Sequence, residues 1–100
     1  MSVTKEIRYT TKPECADENA RLIREVFVEL AREQPDGLQY SAFRLADGVS
    51  FLHVAVLDTE DNPLTASAAF GEFQSDIEAR IADGPVQSDA TVVGSYRPFG

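Results

Sequence analysis

The chain holds a single histidine, His53, the only side chain whose ordinary pKa lies near neutrality. It sits in the run Ser50-Phe51-Leu52-His53-Val54-Ala55-Val56-Leu57 and shares parity with Phe51 and Ala55. In a cavity it could act as a general base, taking a proton from an activated phenol or enol. Asp47-Gly48, just upstream, is a strong hairpin signal. Antiparallel pairing about it sets residues whose numbers total 95 opposite one another, so Ala42 faces His53 and Arg44 faces Phe51. Tyr40 and Arg44 are then diagonal to His53 on one face, within about 7–8 Å. Such a His–Tyr–Arg cluster could bind and polarise an anionic or phenolic ligand. The plainer reading is a structural histidine with satisfied hydrogen bonds, in a polar patch at a sheet or dimer seam.

The other reactive side chains say less. Tyr96 could line a pocket mouth or be a half-buried edge residue, and Tyr9 has the same ambiguity. Phe70 and Phe73 stand at helical spacing and read as core first, cavity lining second. Cys15 has only Lys12 as a cationic neighbour and reads as a plain thiol. The serines match no nucleophile elbow, and no glycine-rich phosphate loop occurs. One histidine and one cysteine make neither a zinc or iron–sulfur ligand set nor a disulfide, so no metal is expected.

The whole chain bounds these choices. Its 100 residues suit one domain, 1–100, and 43% hydrophobic content is ordinary for a globular protein. A net charge of −8 opposes nucleic-acid binding. The first half carries 7 bases and 9 acids and the second 2 and 8, which reads as solubility rather than a docking face. No apolar run approaches the ~20 residues that span a bilayer, and the start has no leader-like apolar stretch. A cytoplasmic setting is expected.

Six elements must position the candidates. Val3, Ile7 and Tyr9 share parity in a strand over 3–11. Thr11-Lys12-Pro13-Glu14 looks like a capping box opening a helix from about 14 to 34. Its apolar stripe is Ala20, Ile23, Val26, Phe27, Leu30, Ala31 and Gln34, and Pro35-Asp36-Gly37 stops it. Strands 38–46 and 49–57 flank a two-residue Asp47-Gly48 loop with both residues at positive φ. Asn62-Pro63 starts a second amphipathic helix running to about Ala82, through Ala66, Ala69, Phe70, Phe73, Ile77 and Ile81. Asp83-Gly84-Pro85 ends it, and 87–97 form the last strand.

That order is α+β: the ferredoxin-like βαββαβ plait, a four-stranded antiparallel sheet with two helices on one face. The third strand is apolar on both parities, so both sheet faces should be covered, yet two helices cover one. A second copy meeting sheet to sheet is the economical cover, which predicts a homodimer.

At this point the chain resembles the dimeric α/β-barrel superfamily, in its antibiotic-biosynthesis-monooxygenase-like branch. The likeness rests on length, element order, Tyr9-Thr10-Thr11-Lys12-Pro13, Phe70-Gly71-Glu72-Phe73-Gln74 and the closing Thr91-Val92-Val93-Gly94-Ser95-Tyr96-Arg97. It implies a dimer with a cavity between each sheet and its helices. Enzyme members hold a quinol-like substrate and oxygen there without metal or flavin; others cleave or bind heme, and others have no known ligand. The cofactor-free oxygenases resemble one another in a Trp, Asn and His set. This chain has no Trp, and Asn19 and Asn62 lie near helix starts, where capping or exposure explains them. A heme reading needs an axial histidine, usually on a helix, and His53 lies mid-strand.

Two readings therefore stand. One is a cofactor-independent oxygenase or isomerase-type enzyme on a small aromatic or enolisable substrate. His53 is its base, and Tyr40, Arg44, Phe70, Phe73 and Tyr96 surround the substrate. The other is a non-catalytic homodimer binding a small apolar ligand or a protein partner.

Overall fold

Alternating β-branched and aromatic residues draw Val3–Thr11 into strand β1. In the computed structural model, which describes residues 3–58 and 62–96, it is followed by helix α1, Ala16–Glu33. Strands β2 (Leu38–Arg44) and β3 (Ser50–Leu57) come next, then helices α2 (Ala68–Ser75) and α3 (Ile77–Arg80), and strand β4 (Ile81–Ala90). The strands form one antiparallel sheet in the order β2-β3-β1-β4. This is the expected ferredoxin-like plait.

The register of β2 on β3 is the one the hairpin signal predicts, with Ala42 opposite His53 and Arg44 opposite Phe51. The turn itself differs from the expected loop. Gly48 N–H donates to Leu45 O, and Gly48 alone there has positive φ, at 81°. Asp47 instead accepts from the Ser50 hydroxyl and from the Ser50 and Val49 amides, which together hold its carboxyl below the ordinary range.

Both helices pack on one face. Ile7, Tyr9, Tyr40, Ala42 and Phe51 project to that side and meet Ala16, Ala20, Ile23, Val26 and Phe73 in a single core. Burying a side chain such as Phe51 or Val26 contributes about 1.5–3 kcal/mol. The stripe foreseen on α1 is correct over Ala20, Ile23 and Val26, while Ala31 and Gln34 are exposed past its useful end. Gln34 closes α1 in the left-handed conformation, φ 46°. Glu29 of α1 accepts from the Ser67 hydroxyl, and Ser67 in turn accepts from Phe70 N–H, so one serine both caps α2 and ties it to α1.

Three boundaries depart from expectation. Thr11 caps nothing: it ends β1, and its hydroxyl donates to Val49 O. The helix starts instead with a short 3-10 turn, Pro13–Cys15, whose N-cap Lys12 has no side-chain bond. The second helix is broken into the 3-10 turn Pro63–Ala66, α2 and α3, although Asn62 caps its start as foreseen by accepting from Leu64 N–H.

The last strand lies at 81–90, not 87–97. Thr4 pairs with Ala90, so β1 has almost run out beyond that point, while Thr11 pairs with Ile81 directly after α3. Asp83-Gly84-Pro85, which reads as a terminator, is a bulge inside this strand. Arg8 pairs with Val86 and Thr10 with Asp83, leaving two residues against Tyr9. Residues 91–96 follow outside the sheet, with Tyr96 81% exposed, and position 97 falls outside the described residues.

Leu52, Val54 and Val56 of β3 occupy the opposite sheet face and are half-buried. No helix among the described residues is long and apolar enough to cross a membrane.

Candidate functional site

The inner sheet face is laid out in cross-strand rows. One row runs Asp89, Lys5, Ala55, Tyr40; the next runs Gln87, Ile7, His53, Ala42; the third holds Tyr9, Phe51 and Arg44. Ala55 is too small to fill the space above it, while aromatic residues surround it. A cavity of about 220 Å³ results, floored by Ala55 and His53 and roofed by Phe70 and Phe73. Lys5 and Gln87 lie at its more exposed end.

His53 faces the helices, not the open sheet face, and is 4% exposed. Both ring nitrogens are engaged. Tyr40, diagonal on β2, places its hydroxyl 2.6 Å from Nδ1; Tyr9, diagonal on β1, places its hydroxyl 2.8 Å from Nε2. The Phe73 ring lies 5.7 Å from the imidazole. Burial pushes the His53 pKa down to about 4, so the ring is neutral at physiological pH. Burial likewise pushes the Tyr9 phenol up to about 12, against smaller opposing effects of Asn19 and Arg80, and raises Tyr40 with help from Tyr9.

The polar chain continues under the helices. Asn19 Nδ2 donates to the Tyr9 hydroxyl at 2.9 Å, and Arg80 Nε donates to Asn19 Oδ1 at 3.0 Å. Arg80 also donates to Phe73 O at 2.6 Å, and its guanidinium lies 5.3 Å from the Phe73 ring. Asn19 is fully buried and Arg80 is 6% exposed. The expected exposure or capping role of Asn19 is therefore corrected. Its spacing held the signal, since position 19 falls on the same stripe as Ala16, Ile23 and Val26, and a polar residue on an apolar stripe needs a buried partner. Arg80 carries the same signal relative to Phe73 and Ile77.

The sequence-derived candidates divide accordingly. Tyr40, Phe70 and Phe73 meet His53 at the cavity. Arg44 does not. It is diagonal to His53 on the far side, where it donates to Asp17 at 3.0 Å and Gly48 O at 2.8 Å. The cation of the buried cluster is Arg80 instead. Tyr96 lies beyond β4 and outside the cavity lining. Cys15 is a half-buried free thiol. Among the described residues no group of His, Cys, Asp and Glu could hold a metal.

The ferredoxin-like fold is shared with solved structures of low sequence identity. A protein assigned as an antibiotic biosynthesis monooxygenase from Bacteroides thetaiotaomicron superposes with a TM-score of 0.81 at 14% identity, over 99% of this chain and 96% of its own. A variant of SnoaB, a cofactor-independent oxygenase from Streptomyces nogalater, matches at TM-score 0.67 and 18% identity, over 97% and 98% of the two chains. A Nitrosomonas europaea protein of unknown function matches at 0.72 and 13%, over 99% and 96%. No protein-family model matches the sequence, and no curated protein does.

Proposed function

We propose that this chain is a cofactor-independent enzyme of the oxygenase or isomerase type, acting on a small aromatic or enolisable substrate. The observation that carries the reading is the apolar cavity with the His53–Tyr40 pair at its floor. Its fold is shared with SnoaB, a cofactor-independent oxygenase. An electron-rich substrate supplies the electrons itself in such a reaction: a ring CH₂ and O₂ give a carbonyl and water. Hydrogen bonding from Tyr40 to the substrate oxygen favours the enolate or phenolate form that reacts with O₂. The substrate proton leaves to solvent at the Lys5 and Gln87 end. Oxygen uptake with a panel of one-ring hydroquinones and enols tests this. Turnover that falls at least tenfold in Tyr40→Phe supports it, and no uptake with any member counts against oxygenase chemistry.

One observation favours a non-catalytic ligand carrier as the second reading. Both His53 nitrogens are occupied by tyrosines, so the ring offers no free lone pair to a bound molecule. Ligand-induced thermal stabilisation without turnover would select it.

The working unit is proposed to be a homodimer in the cytoplasm. Leu52, Val54 and Val56 form an apolar strip on the sheet face away from the helices, with Val86 at 64% exposure on the far side of Arg8. A second copy would bury it. Light scattering should give twice the chain mass, and Val54→Glu should halve it; wild type at one chain mass would exclude the dimer.

A further inference from the structure

The hydrogen-bond chain through the site has a direction. Arginine only donates, so Arg80 fixes the Asn19 amide with Oδ1 toward itself and Nδ2 toward Tyr9. The Tyr9 oxygen therefore accepts from Asn19. Its own hydrogen goes to His53 Nε2, because Nε2–H donating instead would leave the Tyr9 hydrogen without an acceptor among the described residues, in a side chain 3% exposed. A neutral His53 then carries its proton on Nδ1 and donates it to the Tyr40 oxygen. The Tyr40 hydrogen has no acceptor among the described residues. Its hydroxyl lies against His53 at the cavity floor.

Every donor thus points away from the guanidinium and toward the cavity. Arg80 is buried with no carboxylate in ion-pair contact among the described residues, Glu18 being an acid that feels its charge from beyond contact. Bonds in such a series polarise one another, and the last donor gains most from an anionic acceptor. The space above Ala55 suits one substituted ring, since an apolar cavity of about 150 Å³ already admits benzene. Lys5 lies two strands from Tyr40 in the same row, with Ala55 between them. It adds a second cation at the open end, loosely balanced by Asp89 at 3.9 Å.

We infer that Tyr40 is the ligand-contacting end of a polarised donor chain headed by Arg80, and that the cavity selects a one-ring ligand whose oxygen carries negative charge, a phenolate or enolate. This rests on the reading of the cavity as the working site. Arg80, Asn19, Tyr9 and His53 are positioning residues acting through Tyr40.

The test uses 4-nitrophenol, whose phenol and phenolate forms differ in absorbance, with nitrobenzene as the companion lacking the oxygen. Wild type should bind the phenolate about tenfold more tightly than the phenol, so the bound probe ionises about one pH unit lower. Tyr40→Phe should keep nitrobenzene binding and lose that shift. Arg80→Gln should shrink the shift and Arg80→Lys restore part of it; if Arg80→Gln does not fold, Tyr40→Phe decides. Equal binding of both forms by wild type, or a full shift in Tyr40→Phe, overturns the inference while nitrobenzene binding leaves the cavity reading standing. Failure of both probes to bind overturns the cavity reading and the inference together.

Discussion

The hydroxyl of Tyr9 lies 2.8 Å from His53 Nε2, although the register pairs Tyr9 with Phe51 and His53 with Ile7. The contact is diagonal, and Tyr40 reaches Nδ1 from the opposite diagonal, beside Ala55, on the other flanking strand. Two phenols therefore hold the imidazole edge-on from both sides. Ala42 and Ile7, its direct neighbours in the sheet, leave those diagonals open.

A neutral, clamped histidine makes stability depend on pH. Unfolded His53 takes up a proton below its ordinary value of 6.5, whereas the folded ring resists until about 4. The unfolded state thus binds more protons in that window, and stability falls on acidification. Between pH 6.5 and 5 the loss should be about 1.6 kcal/mol, since the full slope of about 1.36 kcal/mol per pH unit is reached only once the unfolded ring is mostly protonated. Urea unfolding across that range should show it, and His53→Gln should be less stable yet flat. A flat wild-type profile would refute the buried neutral histidine.

Arg44 makes the opposite kind of prediction. Its partner Asp17 is 95% exposed, and exposed pairs contribute little. Arg44→Ala should change unfolding free energy by less than about 1 kcal/mol. It should leave 4-nitrophenol ionisation on the protein unmoved, because the guanidinium lies outside the cavity. A lost shift would put Arg44 back in the site.

The Tyr40–His53 pair was legible because Asp47-Gly48 fixes register, and register fixes diagonals. Phe70 and Phe73 followed from helical spacing. Asn19 and Arg80 were missed because a polar residue is normally read as facing outward, and their partners lie 10 and 61 positions away. The last strand was misplaced because Asp-Gly-Pro carries turn chemistry that a bulge also uses. That one error carried Tyr96 into the expected site.

The bulge itself is testable. Gly84 has φ 93°, and a Cβ there would meet Arg8 O at 3.1 Å and the Tyr9 Cα and Cβ at 3.2 Å. Gly84→Ala is strained in its backbone and presses on the residue that holds His53. It should cost about 1–3 kcal/mol in urea unfolding. It should also weaken nitrobenzene binding through displacement of Tyr9. An unchanged unfolding midpoint would mean the strand accommodates the methyl.

Reversing one bond should reverse the whole chain. In Asn19→Asp the side chain becomes a carboxylate that accepts from Arg80 and has no hydrogen to give Tyr9. Tyr9 must then donate to it, so the Tyr9 oxygen becomes the acceptor for His53 Nε2–H. Nδ1 is left as an acceptor, and Tyr40 donates inward to it rather than into the cavity. The substitution is isosteric and pairs a buried cation, so the fold should persist. The single histidine makes the switch readable: nitrogen NMR should place the proton on Nδ1 in wild type and on Nε2 in the variant. The variant should bind 4-nitrophenolate no better than the phenol while still binding nitrobenzene. An Nδ1 proton in both proteins would show that Asn19 does not set the direction.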